Sequence, residues 1–287
     1  MVKPAGSSVS VIIPTFNNEG TLAQCLDSVL HQSRKADQIV VIDGGSSDCT
    51  VAIAKAYGVD VLVFGRERSE QANRGVEASG SEYILRLDAD FVLCRTVIAE
   101  CMKLAEEGAE AVEIHNEPDA SVSWIARARH FEYALLKGDL LRTSARFVRR
   151  DAYVRIGGLN PRLVAGEDFD FQNRLIAAGY KVVLADASIV HLGEPRRLVE
   201  VIRKFFSYGV QAVVFRAEAV RRSGQLDARG VLQKLYLSKW REYRRSPYEA
   251  FLFLVYYSIK VAAGAAGFCW GKVRYFGQSG LDARVVR

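Results

Sequence analysis

The sequence predicts an α/β fold in which a mostly parallel central sheet carries helices on both faces. Three observations predict it. Short β-branched runs alternate with amphipathic stretches over the first 115 residues, polar residues follow several of these runs, and 287 residues are enough to bury a large core. In such sheets ligands bind beyond the carboxyl ends of the strands, so the residues directly after each strand are the first candidates for a functional site.

The predicted elements follow one another in a regular order. Runs of β-branched residues indicate strands, and stretches with apolar residues three and four apart indicate the helices between them. The predicted strands are Val9–Ile13, Gln38–Ile42, Asp60–Phe64, Tyr83–Leu87 and Ala111–Ile114. The predicted helices are Thr21–Leu30, Cys49–Tyr57, Glu70–Ser79 and Arg95–Glu107.

The C-terminal part of the chain predicts contact with a membrane. Residues 250–270 carry one charge, Lys260, and a helix of this length spans about 30 Å, the thickness of a bilayer core. A charge near the centre of a span is costly, so a buried helix of a soluble core stays open as an alternative. We expect three parts: an α/β domain over 1–195, basic amphipathic interfacial helices over 196–245, and a membrane-spanning or membrane-embedded helix with a short tail over 246–287.

The charge distribution agrees with this division. Residues 196–245 carry 13 basic and 4 acidic side chains, whereas residues 1–195 carry 21 basic and 27 acidic ones. The overall charge of +6 is therefore concentrated in the segment before the apolar run, which favours lipid head groups over nucleic acid as its partner. A solvated charged face packed against the first domain is the alternative.

The five cysteines and the N-terminus indicate a reducing compartment. The cysteines are odd in number and contain no CxxC pair, which is typical of free thiols. No secretory signal pattern precedes Pro14. We therefore expect the α/β domain on the cytoplasmic face of the cell membrane.

Two carboxylates, Asp88 and Asp90, follow the fourth predicted strand on either side of Ala89. At this spacing both can point to one side of the strand. Hard oxygen ligands of this kind suit Mg²⁺ or Mn²⁺ together with diphosphate oxygens and water, although a lone pair also occurs as a helix cap. No GxGxxG follows a strand and no P-loop pattern occurs, which argues against a dinucleotide cofactor.

A second acidic group, Glu167 and Asp168, follows Gly166 at the start of an amphipathic helical pattern. Acidic residues in a first helical turn are favoured by the helix dipole, so a structural role is one interpretation. The other is a carboxylate placed to accept a proton from an attacking hydroxyl.

Together these motifs resemble glycosyltransferase family two, whose members are inverting enzymes with the GT-A fold that transfer sugars from nucleoside diphosphate donors. The resemblance covers about residues 8–195. The segments that carry it are VIIPTFNN at 11–18, VIDGGSSD at 41–48, LDAD at 87–90 and GED at 166–168, with shorter matches at 73–75 and 156–159.

The resemblance implies a donor site at the first strand ends. Pro14, Thr15 and Asn17 would line the nucleotide pocket. Asp43 would accept a hydrogen bond from the base or the ribose. Arg66 would reach the donor diphosphate, with a surface role as the alternative.

The resemblance also implies a divalent metal ion, Mn²⁺ or Mg²⁺. Asp90 would bind it directly, while Asp88 and Ala89 would lie near the ribose, with Asp88 reaching the metal or its water. His191 follows the strand-like run Ala187–Val190 and would be a further metal ligand, or else a packed histidine.

The catalytic roles implied by the resemblance fall on the second acidic group. Asp168 would be the base, and Glu167 would orient the acceptor or the donor sugar. Because inversion needs a base on the sugar face opposite the leaving diphosphate, two acidic sites on different elements are chemically consistent.

The expected activity is transfer of a sugar from a nucleoside diphosphate to a lipid-linked acceptor in glycan or glycolipid synthesis, with membrane lipids as a partner and no nucleic acid. Similarity to dolichyl-phosphate mannose synthases favours mannose from GDP-mannose and a polyprenyl or dolichyl phosphate or a lipid-linked oligosaccharide as acceptor. UDP-glucose or UDP-N-acetylglucosamine as donor, and a non-catalytic nucleotide-sugar scaffold, are the alternatives. Processive synthesis is disfavoured because Tyr236 and Lys239 stand where the QxxRW motif has Gln and Arg.

Overall fold

The computed structural model describes residues 7–138, 144–163, 166–223 and 239–276, except the side chains of 214–223 and 275–276. The chain divides into two compact units. The first comprises Met1–Glu117 and Gly138–Gly193, and the second comprises Pro118–Lys137 and Glu194–Arg287.

The first unit contains an eight-stranded sheet with the strand order β3-β2-β1-β4-β7-β6-β8-β5. The strands are β1 (Val9–Thr15), β2 (Gln38–Asp43), β3 (Asp60–Val63), β4 (Tyr83–Arg86), β5 (Phe91–Leu93), β6 (Ala111–Pro118), β7 (Ala145–Arg149) and β8 (Val182–His191). The helices of this unit are α1 (Leu22–Leu30), α2 (Thr50–Ala56), α3 (Arg68–Ala78), α4 (Val97–Glu106), α6 (Arg150–Arg155) and α7 (Glu167–Ala177).

The first half of the sheet is parallel, as the sequence predicts. β1 pairs in parallel with β2 and β4, and β2 pairs with β3. The side chains of Ile12 and Ile42 are fully buried under α3. Gly75 of α3 has no space for a side chain, because a Cβ there would lie 2.3 Å from Cγ2 of Ile12. All five predicted strands and all four predicted helices are present within a few residues of their predicted bounds.

The second half of the sheet is antiparallel, so the sheet is mixed rather than mostly parallel. β7 pairs antiparallel with β4 and β6, and β5 pairs antiparallel with β8. β5 has three residues and begins directly after the predicted carboxylate pair. A run this short has too little alternation to be predicted from its own residues.

The described part of the second unit consists of helices and their connections. They are α5 (Trp124–Leu136), α8 (Leu198–Ser223), α9 (Trp240–Arg245) and α10 (Pro247–Phe276). α5 lies within the predicted first domain, but it packs with the C-terminal helices, because Ile125 and Ala128 form one apolar cluster with Tyr256. Residues 224–238 of the predicted interfacial segment over 196–245, including Tyr236, lie outside the described residues.

α8 and α10 pack side by side with glycines at the contact. A Cβ at Gly209 would lie 2.1 Å from the carbonyl oxygen of Gly264, and one at Gly267 would lie 2.0 Å from that of Phe206. Larger residues would force these two backbones apart. Within the described part of the chain, one helix, Pro247–Arg274 of α10, is long and apolar enough to cross a membrane.

Candidate active site

The ends of the parallel strands bring the first predicted residues together in the first unit. Thr15 at the end of β1 is the Cα partner of Asp43 at the end of β2, and the carboxyl end of β4 lies on the other side of β1. Thr15 and Asp43 are 2% and 1% exposed. Pro14 is buried within β1 beside Ile42. The predicted nucleotide-binding residues therefore share one edge of the sheet.

Asp43 and Asn17 hold the two loops at this edge in shape. The Asp43 carboxylate accepts hydrogen bonds from the backbone N–H groups of Gly45 and Ser46, at 2.9 and 2.8 Å, and from the Ser46 hydroxyl at 2.5 Å. Asn17 adopts a left-handed backbone with φ of 53°, and its side-chain oxygen accepts from the N–H of Ser47 at 2.9 Å. Both side chains thus fix the backbone of the loops that follow β1 and β2.

The aspartates of the DAD motif have different partners. The Asp88 carboxylate lies 3.1 Å from the guanidinium of Arg146 and 3.6 Å from that of Arg68. Burial alone raises the pKa of Asp88, but the positive charges of Arg146 and Arg68 outweigh it, so the pKa lies below its ordinary value. Asp88 is therefore a carboxylate held between two arginines, and Ala89 beside it is buried.

Asp90 pairs with His191 instead. Oδ2 of Asp90 lies 3.2 Å from Nε2 of His191. The antiparallel β5–β8 pairing produces this contact, since Phe91 lies opposite His191 and the backbone N–H of Leu192 donates to the carbonyl of Asp90 at 2.8 Å. Burial raises the pKa of Asp90, but the hydrogen bond and charge of His191, together with the charge of Arg146, outweigh it, and the net shift is downward.

The Asp90–His191 pair fits a divalent cation. An aspartate oxygen and an imidazole nitrogen are both ligands that Mn²⁺ accepts. Gly193 keeps the space beside them open, because a Cβ there would lie 2.6 Å from Oδ2 of Asp90 and 3.2 Å from Nε2 of His191. Among the residues that the structure describes, no group of three His, Cys, Asp or Glu side chains could hold a metal. Diphosphate oxygens and water would then supply the other ligands, as is common for Mg²⁺ sites.

We predict that Gly193→Ala weakens Mn²⁺ binding about tenfold, because the added methyl group fills the space between the two ligands. Titration of free Mn²⁺ by electron paramagnetic resonance, with a nucleoside diphosphate present, measures this. Gly80→Ala is the matched control, since a Cβ there meets no heavy atom within 4 Å. Equal Mn²⁺ affinity in wild type and Gly193→Ala would contradict this placement of the cation.

The second acidic group lies at the start of α7, after Gly166 with its positive φ of 90°. Oδ1 of Asp168 lies 3.3 Å from Nη2 of Arg86, a buried residue of β4 whose guanidinium also donates to the carbonyl of Ala145 at 3.1 Å. Burial raises the pKa of Asp168, but Arg86, Arg68 and Arg146 outweigh it, so the pKa is lowered. Asp168 is therefore ionised at neutral pH, and its side chain is 35% exposed.

Arg68 joins the two acidic groups. Its guanidinium pairs with both Asp88 and Glu167, whose side chain is 6% exposed. The three arginines of the site thus pair with carboxylates from two parts of the chain, Asp88 after β4 and the acidic group at the start of α7. The guanidinium of Arg66, the predicted diphosphate contact, stands 5.7 Å from the ring centre of Phe16, the residue that directly follows β1.

Sequence reasoning missed Arg86. A signal for Arg86 was present, because it is a charged residue at the end of the buried run Tyr83–Leu87, two residues before Asp88. Gln71 was also missed, and its side-chain amide donates to the carbonyl of Gly65 at 3.3 Å. The described residues thus place the Asp90–His191 pair, which fits a cation, in the same unit as the ionised carboxylate of Asp168.

Comparison with known proteins identifies the family of the chain. Residues 10–154 match the family model described as glycosyl transferase family 2. The chain is 24% identical over 218 residues to glycosyltransferase AglE of Haloferax volcanii, covering 70% of this chain and 71% of that protein. It is 31% identical over 187 residues to a PGL/p-HBAD biosynthesis glycosyltransferase of Mycobacterium tuberculosis, covering 59% and 70%.

Two solved structures share the fold. Mannosyltransferase PcManGT from Pyrobaculum calidifontis, in complex with GDP-Man and Mn²⁺, aligns with a TM-score of 0.57 at 19% identity, covering 96% of this chain and 81% of that one. Glucosyl-3-phosphoglycerate synthase from Mycobacterium tuberculosis, in complex with Mg²⁺ and UDP, aligns with a TM-score of 0.53 at 21% identity, covering 78% and 82%.

Proposed function

The chain belongs to glycosyl transferase family 2, and we propose that it transfers a sugar from a nucleoside diphosphate donor to a lipid-linked acceptor at a membrane, with inversion. The enzyme class and the GT-A fold follow from the family. The observation that carries the proposal further is the pairing of Asp90 with His191 at the same site as the ionised Asp168, with Arg68 between the two acidic groups.

Asp90 and His191 would hold Mn²⁺ or Mg²⁺. Such an ion neutralises charge that develops on a leaving diphosphate. Arg68 and Arg146 face the same region through Asp88 and supply further positive charge.

Asp43 and Asn17 contribute by fixing the loops against which a base and ribose would lie, and Pro14 and Thr15 form the buried floor of that pocket.

Asp168 would accept the proton of the attacking hydroxyl. Its lowered pKa keeps it ionised, and Arg86 fixes the orientation of its carboxylate. Glu167, paired with Arg68, would orient the sugar. A polyprenyl phosphate is already ionised near neutral pH and needs no base, so an essential Asp168 favours a sugar hydroxyl of a lipid-linked acceptor.

GDP-mannose is the donor we favour, and UDP-glucose and UDP-N-acetylglucosamine are the alternatives. Support comes from the fold shared with PcManGT, a structure that contains GDP-Man and Mn²⁺, while the synthase structure contains UDP. We propose α10 as the membrane segment, because residues 250–270 carry a single charge and basic residues flank them. We further propose that the α/β domain lies on the cytoplasmic face, since the five cysteines are free, as is typical of a reducing compartment.

We predict that a thermal-shift panel of nucleotide sugars with Mn²⁺ gives its largest stabilisation with GDP-mannose. Ligand at 100 times its dissociation constant stabilises by about 2.7 kcal/mol, which shifts the melting temperature by several degrees. Omission of Mn²⁺ is expected to reduce the shift. A larger shift with a UDP-sugar would assign the donor to that nucleotide. Inertness toward every donor, both in binding and in metal-dependent hydrolysis, would favour a scaffold and contradict the proposed enzyme.

A further inference from the structure

One side of α10 is exposed and uncharged along nearly its whole length. The exposed residues between Tyr248 and Val273 carry no charge. Phe251, Leu254 and Val261 are 61%, 53% and 51% exposed. The members of this uncharged face are Tyr248, Phe251, Leu254, Val255, Ser258, Val261, Ala262, Ala265, Ala266, Cys269, Trp270 and Val273.

The charge of Lys260 is turned away from that face. Its Nζ lies 2.6 Å from Oε1 of Glu132 on α5, whose side chain is 4% exposed. The same Nζ lies 5.1 Å from the ring centre of Phe205 on α8 and 5.6 Å from that of Tyr257. Lys260 was the main objection to a membrane role, and its pairing inside the helical unit removes that objection for the uncharged face.

The opposite side of α10 is covered by α5 and α8, and both helices carry exposed charges. α8 runs parallel to α10, since Phe205 lies beside Lys260 and Gly209 beside Gly264. The exposed Arg203 and Lys204 of α8 therefore lie near the middle of α10 along its axis. If α10 crossed a bilayer, these two cations would be carried to the centre of the hydrocarbon layer, which is unfavourable.

A helix that lies along the membrane surface avoids this cost. Its apolar face enters the boundary between head groups and acyl chains, and the covered side stays in water. Basic residues at the end of such a helix attract anionic head groups. α9, directly before α10, has Arg241, Arg244 and Arg245 exposed together with Trp240.

We propose that α10 lies along the surface of an anionic bilayer, with its uncharged face in the outer hydrocarbon of one leaflet and the arginines of α9 at the head groups, and that it does not cross the membrane. This inference rests on the membrane association in the proposed function and names the surface and the lipid chemistry that produce it. The glycosyl transfer itself is independent of it.

The first test is flotation of the full chain with phosphatidylcholine vesicles in which about one third of the lipid is phosphatidylglycerol. We expect wild type to float, and Val261→Glu to lower the bound fraction about tenfold or more, because the carboxylate enters the hydrocarbon layer. Val154→Glu is the matched control: it is the same substitution at a residue that is 56% exposed on α6 of the first unit. Binding of Val261→Glu equal to that of wild type would overturn the docking surface.

The second test measures depth with brominated lipids. Three variants are compared, each with a single tryptophan, at position 251, 261 or 270. Trp124 and Trp240 are replaced by phenylalanine in all three. Trp270 is also replaced in the variants that carry Phe251→Trp and Val261→Trp. Residues 251 and 270 are about 28 Å apart along a helix. We expect the three probes to lie at equal shallow depth. A deep probe at 261 between two shallow ones would establish a span and overturn the proposal.

Hydrolysis of nucleotide sugar by the detergent-solubilised protein separates the two proposals. Activity in a chain that fails to float would overturn the docking surface and leave the enzyme proposal intact. Flotation of an inert chain would support the docking surface and contradict the enzyme alone.

Discussion

Asp168→Asn is expected to lower kcat by about a thousandfold while leaving the dissociation constant of the donor within about a factor of two. General base catalysis contributes about 10²–10⁴ to the rate, and asparagine keeps the shape of the side chain without its basicity. Steady-state kinetics with a hydroxyl acceptor gives kcat, and equilibrium titration gives donor affinity. A loss confined to kcat is the pattern of an interaction made in the transition state.

Asp170→Asn is the matched control for this substitution. It lies on the same helix, but its carboxylate pairs with Arg174 at 2.7 Å, an ion pair along α7. We expect nearly normal turnover from this variant. Normal turnover from Asp168→Asn as well would exclude Asp168 as the base and would favour a phosphate acceptor, which needs none.

The pH profile tests the same base independently. Because the pKa of Asp168 is below its ordinary value, the base stays ionised as the pH falls, and no acid limb from this group is expected in the mildly acidic range. Arg68→Gln removes one of the positive charges that lower the pKa of Asp168. We expect this pKa to rise and the acid limb of kcat/KM to move to higher pH. Arg68 is half exposed, so the variant is expected to fold. An unshifted limb would show that another group controls the profile.

Asp90→Asn has the second largest expected effect, a loss of turnover of about a hundredfold or more together with loss of the stabilisation that Mn²⁺ adds to donor binding. The reason is that asparagine removes the negative charge that the cation needs and weakens the contact with His191. Thermal shift with donor, in the presence and absence of Mn²⁺, measures the second effect without turnover.

Two comparisons make this prediction specific. Asp60→Asn changes the same residue type at the start of β3, at the opposite end of the sheet, and is expected to be neutral. His191→Ala is expected to reduce Mn²⁺-dependent stabilisation in the same direction as Asp90→Asn. Full Mn²⁺ dependence in Asp90→Asn would place the cation elsewhere in the chain.

The parallel half of the sheet could be predicted because its determinants are local. Each strand is a short β-branched run, and each is followed by a helix that buries one face, so the pattern of Val9–Ile13 or Gln38–Ile42 is sufficient. The positions of Asp43, Asp88 and Asp90 follow from the same reasoning, since strand ends in a parallel sheet meet at one edge.

The partners of these residues could not be predicted, because they are set by pairings between distant segments. Arg68 meets Glu167, and Arg146 meets Asp88, only through the antiparallel half of the sheet and the start of α7. The membership of α5 in the helical unit likewise depends on the contact of Glu132 with Lys260, which no local pattern records.

The β5–β8 pairing also sets the order in which the site can be completed during synthesis. Thr15, Asp43 and Asp90 belong to the first hundred residues, whereas His191 comes near the end of the first unit. Contacts of such long sequence separation require the closure of a long loop, and they are slow to form compared with local pairings. A nascent chain can therefore assemble the parallel strands early, and with them the edge of the sheet that carries Thr15 and Asp43. The Asp90–His191 contact can form only after β8 has emerged, so a fragment that ends before β8 lacks the pair to which we assign the cation.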